Sequence, residues 1–389
     1  MHIAYVTDQV LPQTATDTRQ MLAMTAAFEA AGADVTLVVP ERWDTKATSV
    51  QEVAAYYEVP AQFEMEAVRS VYPNIRGIEK LAQGLVGPWH PAAQQADLLY
   101  TRTTPILIGA LLAGRPVAYD TYRPWPDQQP WSRPFFRWLG KQSNFRGAIL
   151  HSTLAADSYR RVGVPESKIL PAHNGYDPSV LQPVVPQDEA RAQCHLPPDR
   201  PIVAYTGRVT MAKGLGLMLD MARALPEAHF VIVGSETPNG RVEQDAARLH
   251  NVTVAPWMAV SETAPYLYAA DVLLIPPSSA PLQSVGNTVL PLKTYLYMAA
   301  GRAILAPRTP DIEELLYDTS EKANAALVPP DDAEAAIRRL GALLRDDTHR
   351  EQLGAQARAD VQQLTWRRRA ERVLRFLQSS THPAVTIHS

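Results

Sequence analysis

The sequence predicts an α/β protein built from two doubly wound, parallel-sheet domains. Three features point there: short β-branched runs set between helical periods, a second series repeating the plan of the first, and a proline-rich stretch between them that sustains neither period. The first series comprises residues 3–7, 35–39, 98–101, 117–119, 148–150 and 169–171. The second comprises 202–205, 230–233, 252–255, 272–275, 303–306 and 326–328. Short apolar runs alternating with helices are how strands covered on both faces read. The stretch 181–201, LQPVVPQDEARAQCHLPPDRP, reads as a linker. The expected domains are 1–184 and 185–365, followed by a terminal helix in 366–389. That helix places Trp366, Ala370, Val373, Leu374 and Leu377 on one face, a stripe that must be buried. Two such domains predict a ligand crevice between them, at the carboxyl ends of their strands.

Composition narrows the function. At 389 residues, 46% hydrophobic and 20% charged, the chain supports two or three cores, which excludes collagen, coiled coil and wholesale disorder. A formal charge of −3 supplies no global field for nucleic acid, so no nucleic-acid partner is expected. Cys194 is the sole cysteine, which excludes an internal disulfide and a cysteine-rich zinc site. No charged leader precedes the apolar run at 3–6, and the longest apolar stretch, 105–114, is too short for a bilayer, so the expected location is the cytoplasm. Arginine outnumbers lysine 30 to 7, which makes each lysine worth locating.

The chemistry-bearing motif follows the first strand of the second domain: Gly207-Arg208-Val209-Thr210-Met211-Ala212-Lys213-Gly214, then a helix burying Leu215, Met218, Leu219, Ala222 and Leu225. A strand, a glycine-flanked basic loop and a helix N-terminus make an anion site. Amides and helix dipole favour phosphate, Arg208 can fork onto two oxygens and Lys213 adds a point charge. The plainer alternative is a surface turn with two solvated cations. The Walker order of glycine, lysine and hydroxyl is absent, and no GxGxxG follows Thr7, so no nicotinamide cofactor is expected. With no DxD and no clustered histidines, no metal is expected either.

Several stretches, in this order and spacing, resemble the retaining, nucleotide-sugar-dependent glycosyltransferases of family 4, which have the two-domain GT-B fold. HSTLAADSYRRVGVPESKILPAHNGYD matches the end of that family's first domain, with Asn174-Gly175-Tyr176-Asp177 at its NGxD motif. AYTGRVTMAKGLGLMLDMARAL matches its GR…KG donor-phosphate motif, LPLKTYLYMAAGRAILAP its last strands, and LTWRRRAERVLRFL the terminal helix that returns to the first domain. The resemblance implies sugar transfer from a nucleotide diphosphate, with Arg208 and Lys213 stabilising charge on the departing diphosphate. The donor is then a substrate rather than a cofactor. A glycan, lipid-linked or small-molecule acceptor is implied on the first domain.

Departures from that family are equally specific. Its members carry two glutamates eight residues apart, one addressing the sugar and one gripping the ribose. Counting from Tyr297-Met298-Ala299 puts Thr288 and Leu296 at those positions. The family's Gly-Gly loop after the first strand is replaced by Gln13-Thr14-Ala15-Thr16-Asp17. Donor-side candidates are therefore Gly207, Gly214, Thr14, Thr288, Val289 and Leu296. On the acceptor side the resemblance carries over Arg102, Asp120 and Arg123, with a structural Asp120–Arg102 or Asp120–Arg123 pair as the alternative. His151 and His173 stand at strand ends, and Trp257 either stacks on a base or packs internally. From Gln128 to Ala156 there is no acid, and the stretch 131–146 combines Arg133, Arg137 and Lys141 with Trp131, Phe135 and Trp138. It suits an anionic membrane surface or an interior aromatic face with a solvated basic edge. Two other activities compete with transfer: a non-catalytic GT-B scaffold in glycan assembly, and a nucleotide-sugar epimerase.

Overall fold

A computed structural model of the chain describes residues 1–13, 15–42, 48–70, 75–283, 290–319 and 321–379. It separates into two compact units, Met1–Asn174 joined by the segment from Trp366 onward, and Gly175–Thr365.

The first unit holds β1 (His2–Val6), β2 (Asp34–Glu41), β3 (Glu64–Arg69), β4 (Leu98–Thr101), β5 (Val117–Thr121), β6 (Phe145–Leu150) and β7 (Ile169–Pro171). Their order across the sheet is β3-β2-β1-β4-β5-β6-β7. The second unit holds β8 (Ile202–Thr206), β9 (His229–Ser235), β10 (Val252–Pro256), β11 (Val272–Leu274), β12 (Ala303–Pro307) and β13 (Ala326–Val328), ordered β10-β9-β8-β11-β12-β13. Every ladder in both sheets is parallel. Apolar clusters cover both faces of each sheet, which is why the central strands read as unbroken hydrophobic runs.

Two elements differ from the sequence reading. Strand β3, EMEAVR, was not expected; only Val68 is buried, and its glutamates stand at the open edge, where charge blocks pairing with another chain. The expected linker 181–201 contains the helix Gln187–Gln193, which buries Ala190 and pairs Arg191 with Asp271 at 2.6 Å. The division between units falls after Asn174, before the proline-rich stretch, because the following residues are held by the second unit. The Tyr176 N–H donates to the Leu364 carbonyl at 3.1 Å, and Leu181 is buried in that unit's core beneath Tyr268.

The terminal helix Trp366–Ser379 lies on the first unit, against the helix Thr16–Ala30 and β6. It buries Ala370, Val373, Leu374 and Leu377 in the cluster shared with β1 and β2, while Trp366 is half-buried at its edge. Gly147 of β6 makes this approach feasible, since a Cβ there would stand 2.5 Å from the Phe376 ring.

Candidate active site

In the second unit the chain winds outward from β8 to β10 and returns on the other side of β8, so its winding reverses between β8 and β11. Open α/β sheets bind ligands at such a point, at the strands' carboxyl ends. The Gly207–Gly214 loop begins there. Gly207 has φ +128°, and its N–H donates to the Val233 carbonyl at 2.9 Å. Gly234, with φ +116°, lies so close that a Cβ on it would be 2.5 Å from the Gly207 oxygen. Gly214, at φ +77°, is the N-cap of the helix Leu215–Ala224, whose N-terminus has no side-chain cap. Arg208 and Lys213 are exposed, and neither pairs with a carboxylate among the described residues. Burial, then the Arg208 charge, holds the Lys213 ammonium below the usual lysine range. Two uncompensated cations beside a ten-residue helix N-terminus favour a multiply charged anion.

A third cation comes from a part of the chain the motif does not include. Lys293 opens the helix Lys293–Ala300, and its Nζ lies 3.5 Å from the centre of the Tyr205 ring. That helix is fixed to β8 by Tyr297, whose hydroxyl accepts from the Thr206 N–H at 2.8 Å. The sequence signal for Lys293 is the scarcity of lysine. Leu296, on the same helix, is half-buried against the unit's core. Thr14, Thr288 and Val289 lie outside the described residues. Trp257 follows β10, with its N–H on the Ser235 carbonyl at 2.7 Å, and is 48% exposed beside Pro256, Met258 and Tyr266 rather than packed inside.

In the first unit, Asp120 is the penultimate residue of β5 and is buried. It pairs neither with Arg102 nor with Arg123. Instead one oxygen meets Arg369 Nη2 of the terminal helix at 3.0 Å and accepts from the Tyr100 hydroxyl; the other accepts from His151 Nε2. His151 Nδ1 meets Gln20 Nε2 at 3.2 Å, so the imidazole is satisfied as a neutral ring that donates through Nε2. Gln20 also donates to the Asn174 side chain. Burial alone would raise the Asp120 carboxyl, but Arg369 and then His151 hold it well below the carboxylate range. Burial outweighs Asp120 at His151 and pushes its pKa down to about 4. Arg102 donates to the Asp17 carbonyl at 3.1 Å, and Arg123 stacks over Tyr122 and Trp125 at 5.3 and 5.0 Å. His173 Nδ1 lies 2.9 Å from the His151 carbonyl. Asp120 is thus a support beneath the strand ends, with Arg102 and Arg123 the more accessible groups.

Two surface segments complete the inventory. In the helix Arg133–Leu139, Phe136 and Leu139 are buried, whereas Trp131 is 78% and Trp138 48% exposed beside exposed Arg133, Arg137 and Lys141. The helix Arg76–Val86 is turned inside out. Glu79 and Gln83 face inward, Glu79 in a two-pronged pair with Arg42 at 2.8 and 2.6 Å, while Leu81 and Leu85 are 60% and 58% exposed. Among the described residues no helix is long and apolar enough to cross a membrane, and no group of His, Cys, Asp and Glu is placed to hold a metal.

Residues 200–346 match the family described as Glycosyl transferases group 1. The chain is 27% identical over 173 residues to the sulfoquinovosyl transferase SQD2 of Arabidopsis thaliana, covering 44% of this chain and 32% of that protein. It is 27% identical over 240 residues to a D-inositol 3-phosphate glycosyltransferase of Xylanimonas cellulosilytica, covering 58% of this chain and 55% of that one. The chain thus spans about a third and just over half of the two relatives' lengths. The structure of Alr3699/HepE of Anabaena in complex with UDP-glucose superposes with a TM-score of 0.70 at 16% identity, covering 97% of this chain and all of that one. Two Rossmann-like parallel-sheet units with these neighbours make the fold GT-B.

Proposed function

We propose that this protein is a retaining, metal-independent glycosyltransferase that moves a sugar from a nucleotide diphosphate to a carbohydrate or lipid-linked acceptor. The observation that carries the reading is the pair Arg208 and Lys213, uncompensated by acid among the described residues and beside the helix Leu215–Ala224, whose N-terminus has no side-chain cap. The bond from the anomeric carbon to the diphosphate breaks, the acceptor oxygen bonds to that carbon, and the acceptor proton passes to the released diphosphate. Negative charge grows on the departing phosphate, and fixed cations act when it does. Such a mechanism needs neither a resident metal nor a flanking pair of carboxylates. The exposure of Trp257 beside the end of β9 supports a role in stacking on the base.

Acceptor binding is assigned to the first unit through Arg102 and Arg123, with Asp120 holding the strand ends beneath them. The exposed apolar side chains of Arg76–Val86 and the basic-aromatic segment 131–146 lead to helices on one face of that sheet, which suits peripheral contact with an anionic membrane carrying a lipid-linked acceptor. The test is release of nucleoside diphosphate from a panel of nucleotide sugars, with and without glycan and glycolipid acceptors and with EDTA present. Acceptor-dependent release with a product of unchanged anomeric configuration supports the assignment. Epimerised sugar, with or without release of diphosphate, moves it to an epimerase; binding without turnover moves it to a scaffold.

A further inference from the structure

We propose that Lys293 is a third cation of the anion site, set against the Gly207 backbone to contact the terminal phosphate of a bound nucleoside diphosphate. This deepens the donor reading above and rests on it.

Two contacts bring Lys293, which lies outside the GR…KG motif, to that loop. Its Nζ would lie 2.8 Å from a Cβ on Gly207, so the space over the loop's first residue is open to the ammonium because that residue is glycine. The ammonium itself lies over the Tyr205 ring, 3.5 Å from its centre, and that ring is fixed by a 2.9 Å hydrogen bond from the Tyr205 hydroxyl to the Arg208 carbonyl. The ammonium thus comes to the loop that carries Arg208 and Lys213.

Its setting is unfavourable without an anion. Lys293 is the first residue of the helix Lys293–Ala300, where the helix dipole repels a cation. Among the described residues no carboxylate pairs with it. The charged group acting on it is another cation, Lys213. The aromatic face of Tyr205 supplies one compensating attraction, worth less than an ion pair. Burial, reinforced by Lys213, pushes the Lys293 pKa well below the usual lysine value. A phosphate oxygen arriving there opposes each of these penalties at once and favours the protonated lysine. Binding and protonation are therefore linked at this residue, which a solvated surface lysine would not show.

The test is titration calorimetry with inorganic pyrophosphate and UDP, with uridine as the uncharged comparison, in buffers of different ionisation enthalpy. Wild type is expected to bind both anions. Lys293→Met is expected to weaken both about ten- to a hundredfold, leave uridine unaffected and take up fewer protons on binding than wild type. The difference isolates Lys293, because the phosphate is common to both proteins and beside cations gives up protons rather than taking them. Lys293→Arg, permanently charged, should regain affinity without regaining that uptake. An unfolding midpoint for Lys293→Met no lower than wild type excludes a role confined to the Tyr205 contact. Unchanged pyrophosphate affinity in Lys293→Met, while Lys213→Met loses it, overturns the inference and leaves the donor reading standing. If wild type binds neither anion, the donor reading fails and this inference with it.

Discussion

Arg369 of the terminal helix and Asp120 near the end of β5 form a buried ion pair, Nη2 to Oδ2 3.0 Å, each about 3% exposed in its side chain. The guanidinium also donates through Nε to the His173 carbonyl at 3.1 Å, so one side chain ties the last helix to two strand ends. A pair buried to this extent gains little over an apolar replacement, but removing one partner strands a charge. Asp120→Asn or Arg369→Met should each destabilise the fold by about 3–5 kcal/mol. The double variant should cost less than the two singles summed, because it removes both charges together. Chemical denaturation of the four proteins checks this; additive losses would show that the pair is not coupled.

The same cluster sets a pH dependence. The pKa of His151 is depressed from 6.5 to about 4, so the unfolded chain binds its proton first. Stability from this group is complete above the unfolded value and declines as pH falls from 6.5 toward 4, by on the order of 3 kcal/mol. Asp120 is also depressed, so its contribution is lost in the same direction, at still lower pH. The thermal midpoint of wild type should therefore fall across this window more steeply than that of His151→Gln, which has no proton to gain. Parallel curves would rule out a buried neutral His151.

How much of this the sequence showed depended on how local each feature was. Strands β1 and β8 were legible because burial on both faces makes them continuously apolar, and the terminal helix because its stripe repeats at the helical period. Strand β3 was not, since an edge strand carries glutamates where a central one carries valines. The partner of Asp120 was not either: Arg102 and Arg123 are near in sequence, whereas Arg369 arrives through the return of the last helix. Lys293 escaped for the same reason. The GR…KG loop was readable because strand, loop and helix start are contiguous.

Loss of either motif cation should affect catalysis rather than folding. Arg208 and Lys213 are exposed and pair with no acid among the described residues. Arg208→Ala or Lys213→Ala should each cost on the order of 2–4 kcal/mol in transition-state stabilisation with an unchanged unfolding midpoint. Comparison of kcat/KM and thermal midpoints decides it. Full transferase activity in both variants would remove the phosphate assignment.

Membrane contact makes a separable prediction. Sedimentation with liposomes should rise with anionic lipid and fall with salt. Replacing Arg133, Arg137 and Lys141 by glutamate should abolish the dependence on anionic lipid. Replacing Leu81 and Leu85 by glutamine should weaken binding at every lipid charge, because it removes apolar area rather than attraction. Absence of sedimentation with anionic liposomes at low salt would assign these surfaces to solvent.

Leu296 bears on the choice of nucleotide. It is half-buried on the helix that Lys293 begins, at the position where the resemblance sets a ribose-gripping glutamate. A leucine there cannot accept from a hydroxyl, and a 2′-hydroxyl that loses water without gaining an acceptor costs roughly 1–3 kcal/mol. A deoxyribose avoids that cost, and its apolar C2′ edge can pack on the leucine. The protein should therefore discriminate little between matched ribo- and deoxyribonucleoside diphosphates, and Leu296→Glu should shift preference toward the ribo form by about tenfold or more. Calorimetry with the two ligand series on both proteins measures the shift. A strong ribo preference in wild type, unaltered by Leu296→Glu, would mean that the ribose is gripped by other groups and that the leucine is a packing residue alone.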